Sequence, residues 1–189
     1  MTRLDATRLI VEHAPNAAIV ASLGHPAYDL FAAGDRPRHF YTWGSMGLAS
    51  SIGLGVALAQ PTLDVIVLDG DGSLLMNLGS LATIGMLQPP NLTVVVMDNE
   101  EYATTGGQAT PTALGADLAA AARAMRIEHA VTVRTEEELR RAMGGATGQT
   151  LRPSVIVAKV TESRPTVKPP LDYIGIKERF MTAIGCSAC

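Results

Sequence analysis

Five short, almost unbroken apolar runs, at 17–21, 65–68, 92–97, 130–133 and 155–160, constrain this 189-residue chain more than any other feature. Each has the length of a strand, and none alternates apolar with polar residues as a half-exposed strand does. Such runs suit strands buried on both faces of a parallel sheet. Helix-like stretches at 45–60, 77–87, 118–125 and 136–143 separate them. Thr135 followed by three glutamates is a plausible N-cap with acidic residues at the positive end of the helix dipole. Alternating strands and helices predict an α/β fold: a doubly wound, mainly parallel sheet flanked by helices.

The length suits a single domain over 1–189. The proline-stiffened segment at 164–170 is expected to lead into a last helix at 174–184, so that 164–189 forms a peripheral arm. A net charge of −3 and scattered arginines argue against a nucleic-acid partner. No apolar stretch is long enough to span a membrane, and the N-terminus lacks a secretory layout, so a cytoplasmic location is expected. Cys186 and Cys189 supply only two ligands and read as a frayed, reduced tail.

In an open parallel sheet, ligands bind beyond the carboxyl ends of the strands. The loops expected there begin at Ser22, Asp69 and Asp98. The second carries Asp71 between two glycines, and Asn99 follows the next apolar run. Parallel strands would bring these oxygen ligands together, next to glycines and a helix N-terminus. That grouping suits a divalent metal holding a diphosphate. Asp69 and Asp98 read as orienting or capping groups beside the ligands.

Gly70-Asp71-Gly72, 26 intervening residues and then Asn99 resemble the cofactor motif of the thiamine-diphosphate-dependent 2-oxo-acid decarboxylase superfamily, in its diphosphate-binding domain. The resemblance implies that Asp71, Asn99 and the backbone carbonyl of Glu101 hold Mg²⁺. It also implies that Ser73 and the Gly72 amide contact diphosphate oxygens. Gly44-Ser45-Met46-Gly47 strengthens it: the Gly44 carbonyl would accept from the cofactor's 4′-amino group, and Met46 would wedge beneath the bent cofactor. Gly24 and His25 align with a diphosphate-contacting loop. Tyr102 would join the cofactor site, and Thr104 and Thr105 the substrate pocket.

Local wording is nearest to the sulfopyruvate and phosphonopyruvate decarboxylases, in GSMGLASSIGLGVALAQP, VIVLDGDGSLLMNLGSLATIG and TGGQATPT. The first loop and Leu48 depart from that pattern, so the resemblance implies a 2-oxo acid without specifying which. Thiamine catalysis also needs a glutamate at the cofactor's pyrimidine N1′, and no second α/β unit here supplies it. The resemblance therefore implies the β-type half of a split decarboxylase that forms CO₂ and an aldehyde. Its α subunit would bind the pyrimidine and supply the glutamate, in an α2β2 or larger hetero-oligomer. The alternatives are the β chain of a 2-oxo-acid oxidoreductase or carboligase, and a non-catalytic thiamine-diphosphate-binding module.

Overall fold

A computed structural model describes residues 1–146, 153–162 and 167–186. The chain begins with α1 (Arg3–His13), β1 (Ala18–Ala21), α2 (His25–Ala32), β2 (His39–Tyr41) and α3 (Ala49–Ala59). β3 (Val65–Gly70), α4 (Asp71–Met76), α5 (Gly79–Leu87) and β4 (Leu92–Asp98) follow. A small antiparallel hairpin, β5 (Glu101–Tyr102) and β6 (Gln108–Ala109), precedes α6 (Leu118–Ala124), β7 (His129–Val133), α7 (Glu136–Ala146), β8 (Ser154–Lys159) and α8 (Tyr173–Ala183). The main sheet has six parallel strands in the order β2-β1-β3-β4-β8-β7.

Four of the five apolar runs behave as two-faced strands; the run at 130–133 forms β7 at the sheet edge, where Val131 and Thr132 are exposed. Ile19, Ile66, Leu68, Val95, Met97 and Ile156 join one core, while Val20, Val65, Val67, Val94, Val96 and Val155 join the other. Alternate residues of one strand thus enter opposite layers, which is why polarity does not alternate along it. Each large side chain so buried contributes about 1.5–3 kcal/mol. The Thr135 cap forms as a capping box: its hydroxyl accepts from the Glu138 amide at 3.2 Å, and the Glu138 carboxylate accepts from the Thr135 amide at 3.2 Å.

Several elements differ from the sequence expectation. The helix predicted at 45–60 starts at Ala49, because Gly44, Ser45 and Gly47 all adopt positive φ. The helix predicted at 77–87 is preceded by a separate one, α4, which starts at Asp71 itself. The loop expected around Gly24 turns directly into α2, with Pro26 in the first turn, where no amide partner is lost. α1 escaped notice because its buried face includes Arg3 and Thr7 alongside Ala6, Leu9 and Ile10. The arm at 164–189 lies partly outside the described residues, and so does Cys189. Its helix covers the β2 edge, with Phe180 against Phe40 at 5.3 Å and Arg179 paired with Asp35 at 2.6 Å. Cys186 accepts a 3.4 Å contact from the Gln60 amide.

That edge contains a pH-sensitive group. Burial, reinforced by the charge of Arg36, lowers the His39 pKa from 6.5 to about 4. Between those values the unfolded chain takes up a proton that the folded chain does not, so stability falls on acidification. The loss from this group at pH 4.5 is expected to be on the order of 2–3 kcal/mol. His39→Gln should flatten the difference between urea midpoints measured at pH 7 and pH 4.5; an unchanged difference would locate the acid sensitivity elsewhere.

Candidate functional site

Strands β1, β3 and β4 are neighbours, and their register aligns Ala21 with Leu68 and Gly70 with Met97. The loops that leave them therefore meet at one edge of the sheet. They surround a cavity of about 250 Å³ lined by Ser22, Leu23, His25 and Pro26, by Gly70 to Ser73, and by Asn99 with Glu101 to Thr105. Arg3, Met46, Met76 and Met97 complete its wall. Of the residues singled out from sequence, His25, Met46, Gly70, Asp71, Gly72, Ser73, Asn99, Glu101, Tyr102, Thr104 and Thr105 all line it. Gly44 and Ser45 are exposed and do not line it. Gly24 is buried beside it, where an added Cβ would meet the Thr104 methyl at 3.1 Å.

Asp71 is the first residue of α4 and is 1% exposed. Its Oδ2 accepts hydrogen bonds from the Thr110 hydroxyl at 2.5 Å and the Thr112 hydroxyl at 3.0 Å. Thr112 also approaches Asp98 Oδ1 at 2.8 Å, so one hydroxyl sits between two buried carboxylates. Asp98 is paired with Lys159 at 2.7 Å, whereas no cationic side chain among the described residues pairs with Asp71. Burial raises the Asp71 pKa, and the charge of Asp98 adds to the effect. A buried carboxylate without a cationic partner is a place where a bound cation would be stabilised.

Asn99 directly follows β4 and donates through Nδ2 to Glu162 Oε1 at 2.9 Å, while its Oδ1 accepts nothing from a described residue. Glu100, next along, has φ 66°, and this left-handed turn lets the chain reverse into β5 at Glu101. Among the described residues no group of three or more His, Cys, Asp and Glu side chains is arranged to hold a metal. One carboxylate, one amide oxygen and one backbone carbonyl, from Asp71, Asn99 and Glu101, would instead make a sparse, all-oxygen donor set. That set fits Mg²⁺, which shares its remaining positions with phosphate and water.

Ser73 ties the loops together. Its hydroxyl accepts from the Gly47 amide at 3.0 Å and contacts the Ser22 hydroxyl at 3.0 Å. Asn77 donates to the Gly47 carbonyl at 3.0 Å, so α4 fixes the turn that presents Met46. Asp69 is fully buried and accepts from the Gly70 amide at 3.0 Å, and Asp98 accepts from the Glu100 amide at 3.2 Å; both orient loop backbone, as expected. Opposite, the β5–β6 hairpin covers the cavity. The Tyr102 ring lies so close to Gly72 that a Cβ there would come within 2.2 Å of it. Burial, aided by Arg3, lowers the His25 pKa, so its 3.7 Å approach to Glu162 is not an ion pair at neutral pH.

Four participants were not foreseen: Arg3, Thr110, Thr112 and Glu162. Thr110 and Thr112 belong to the TGGQATPT string, but nothing in sequence says which carboxylate they meet. Arg3 and Glu162 come from opposite ends of the chain, joined where the Arg3 amide donates to the Thr161 carbonyl at 3.1 Å.

Comparison with known proteins bears on the family and the fold. The chain is 39% identical over 183 residues to the sulfopyruvate decarboxylase subunit beta of Methanocaldococcus jannaschii, covering 96% of both chains. It is 42% identical over 178 residues to the phosphonopyruvate decarboxylase of Streptomyces hygroscopicus, covering 89% of this chain and 43% of that one. The benzoylformate decarboxylase structure from Polynucleobacter necessarius superposes with a TM-score of 0.68 at 22% identity, over 87% of this chain and 34% of that one, which speaks for the fold alone. The chain spans about a third of the length of the solved structures it matches. Residues 27–158, which hold the loops that begin at Asp69 and Asp98 and the Gly44–Gly47 turn, match the thiamine pyrophosphate enzyme, C-terminal TPP binding domain, and the chain belongs to that family.

Proposed function

We propose that this chain is the diphosphate- and Mg²⁺-binding subunit of a two-chain, thiamine-diphosphate-dependent 2-oxo-acid decarboxylase of the sulfopyruvate or phosphonopyruvate class. The observation that carries this reading is the convergence of Asp71, Asn99 and Glu101 on one cavity with Gly72 and Ser73. Asp71, Asn99 and the Glu101 carbonyl hold the cation. The Gly72 amide, Ser73, Gly24 and His25 hold the diphosphate. The Gly44 carbonyl and Met46 engage the other end of the cofactor, at the turn that Ser73 and Asn77 fix. Tyr102, Thr104 and Thr105 exclude water from above.

Thiamine diphosphate supplies the electron sink for the pair released when a 2-oxo acid loses CO₂. The chain's own contribution is to anchor and orient, because no glutamate of this chain is assigned to the pyrimidine. A pyrimidine-binding α subunit supplies that glutamate, in an α2β2 or larger assembly in the cytoplasm. Two coverages support the split: this domain matches a free-standing subunit over nearly its whole length, but less than half of a longer decarboxylase.

The test is co-purification with the product of an adjacent reading frame of similar size. The complex, given thiamine diphosphate and Mg²⁺, should release one CO₂ and one aldehyde per 2-oxo acid consumed, with sulfopyruvate, phosphonopyruvate and pyruvate as trial substrates. Neither chain alone should turn over. Reduction of an added electron acceptor in place of aldehyde formation would move the protein to the oxidoreductases.

A further inference from the structure

We propose that Glu162, held in place by Arg3, is a positioning residue that sets the orientation of the Asn99 side-chain amide and so determines whether that residue offers oxygen or nitrogen to a cation. The inference rests on the reading of Asn99 as a cation ligand and concerns how that ligand is prepared.

An asparagine amide has two ends of nearly the same shape, and only the oxygen can ligate a cation. An ionised carboxylate accepts hydrogen bonds and donates none. Glu162 Oε1 lies 2.9 Å from Asn99 Nδ2, and turning the amide over would set oxygen against oxygen at that distance. With the nitrogen committed to Glu162, Oδ1 is the end left for the cavity that Asn99 lines.

Glu162 is itself fixed. Arg3 Nη1 donates to the same Oε1 at 2.8 Å, and Arg3 Nε donates to Asp29 Oδ2 at 2.5 Å. Arg3 is 2% exposed and Asp29 fully buried, so the guanidinium sits rigidly between two carboxylates. Backbone pairing holds the two segments side by side: the Thr161 amide donates to the Met1 carbonyl at 3.1 Å, and Thr2 bridges to Thr161. The chain's first turn and the segment after β8 thus converge on one amide in the cavity wall.

The test is Mn²⁺ uptake, read from the free-ion electron paramagnetic resonance signal. It uses the full chain co-purified with its partner subunit at saturating thiamine diphosphate. Glu162→Ala is expected to weaken Mn²⁺ binding about tenfold, the scale for groups that orient metal ligands. Glu162→Gln should weaken it less, because its side-chain carbonyl still accepts from Asn99. The Asn99→Asp background separates positioning from general damage. A carboxylate has oxygen at both ends and needs no orienting, so Glu162→Ala there should leave Mn²⁺ affinity unchanged or tighten it by removing a neighbouring like charge. Equal weakening in both backgrounds, or none in the parent, overturns the proposal; Glu162→Leu, which likewise offers Asn99 no acceptor, carries the same test if alanine compromises folding. A parent protein that takes up no Mn²⁺ overturns the cation site together with this inference, a result distinct from a parent that binds and a variant that binds equally well.

Discussion

Asp71→Asn is expected to abolish Mg²⁺-dependent retention of thiamine diphosphate and, in the same protein, to raise the thermal unfolding midpoint without cofactor. The two effects have one cause. Asp71 is buried and its pKa is raised, first by that burial and then by Asp98. A carboxyl whose folded pKa exceeds its unfolded value holds its proton longer when folded. Ionising it therefore destabilises the fold as pH rises past the ordinary carboxylate range, and that cost persists at neutral pH. An amide removes the charge while its oxygen still accepts from Thr110 and Thr112. Each kcal/mol recovered moves the midpoint of a chain this size by about 2–4 °C. The amide is a far weaker partner for Mg²⁺, so affinity should fall by more than about 100-fold, beyond the usual effect of losing an orienting group. Differential scanning fluorimetry, with and without Mg²⁺ and thiamine diphosphate, reads both effects. The parent should start lower and shift upward, and the variant should start higher and stay there. A variant that starts lower, or still shifts with Mg²⁺, would remove Asp71 from the cation site. Asp69 titrates in the same direction, but it is common to both proteins and drops out of the difference.

The sequence disclosed the parts of this site that follow from strand order and failed at those that depend on distant pairing. β1, β3, β4 and β8 were legible because both faces of each are buried, so polarity could not interrupt them, whereas β7 lies at the sheet edge with His129, Val131 and Thr132 exposed and was legible from its apolar residues alone. Their carboxyl ends then located Asp71 and Asn99. β2 was missed because it is three residues long beside Arg36, Pro37 and Arg38. The start of α3 was misplaced because the helix-like stretch continues back to Ser45 in sequence, whereas three positions from Gly44 to Gly47 need left-handed backbone. Arg3 looked like an ordinary surface arginine. Its burial depends on Asp29, 26 positions away, and Glu162, 159 positions away, and no local pattern encodes either meeting. Residues that carry ligands were found by type and spacing, whereas those that aim the ligands required the fold.

Gly72→Ala is expected to cost about 100-fold in thiamine-diphosphate affinity while changing stability by no more than about 1 kcal/mol. Gly72 lies within α4, where its φ is unexceptional and alanine is the better helix former by about 1 kcal/mol. The added methyl, however, would stand 2.2 Å from Tyr102 Cε1 and 2.8 Å from Cδ1. The ring must leave, and it sits on the two-residue strand β5, whose hairpin carries Thr104 over Gly24 and so covers the cavity. Helix propensity gained and packing lost therefore offset each other in stability but not in binding. Two causes of weak binding remain to be separated: a displaced hairpin, or a methyl in the path of a diphosphate approaching the Gly72 amide. Tyr102→Ala in the Gly72→Ala background decides between them. If displacement dominates, removing the ring relieves the clash and recovers affinity toward that of Tyr102→Ala alone, giving a large coupling between the two sites. If the methyl blocks the diphosphate, the double variant stays as weak as Gly72→Ala. Independence of the two substitutions would mean that the ring and the glycine do not share the work of closing this site.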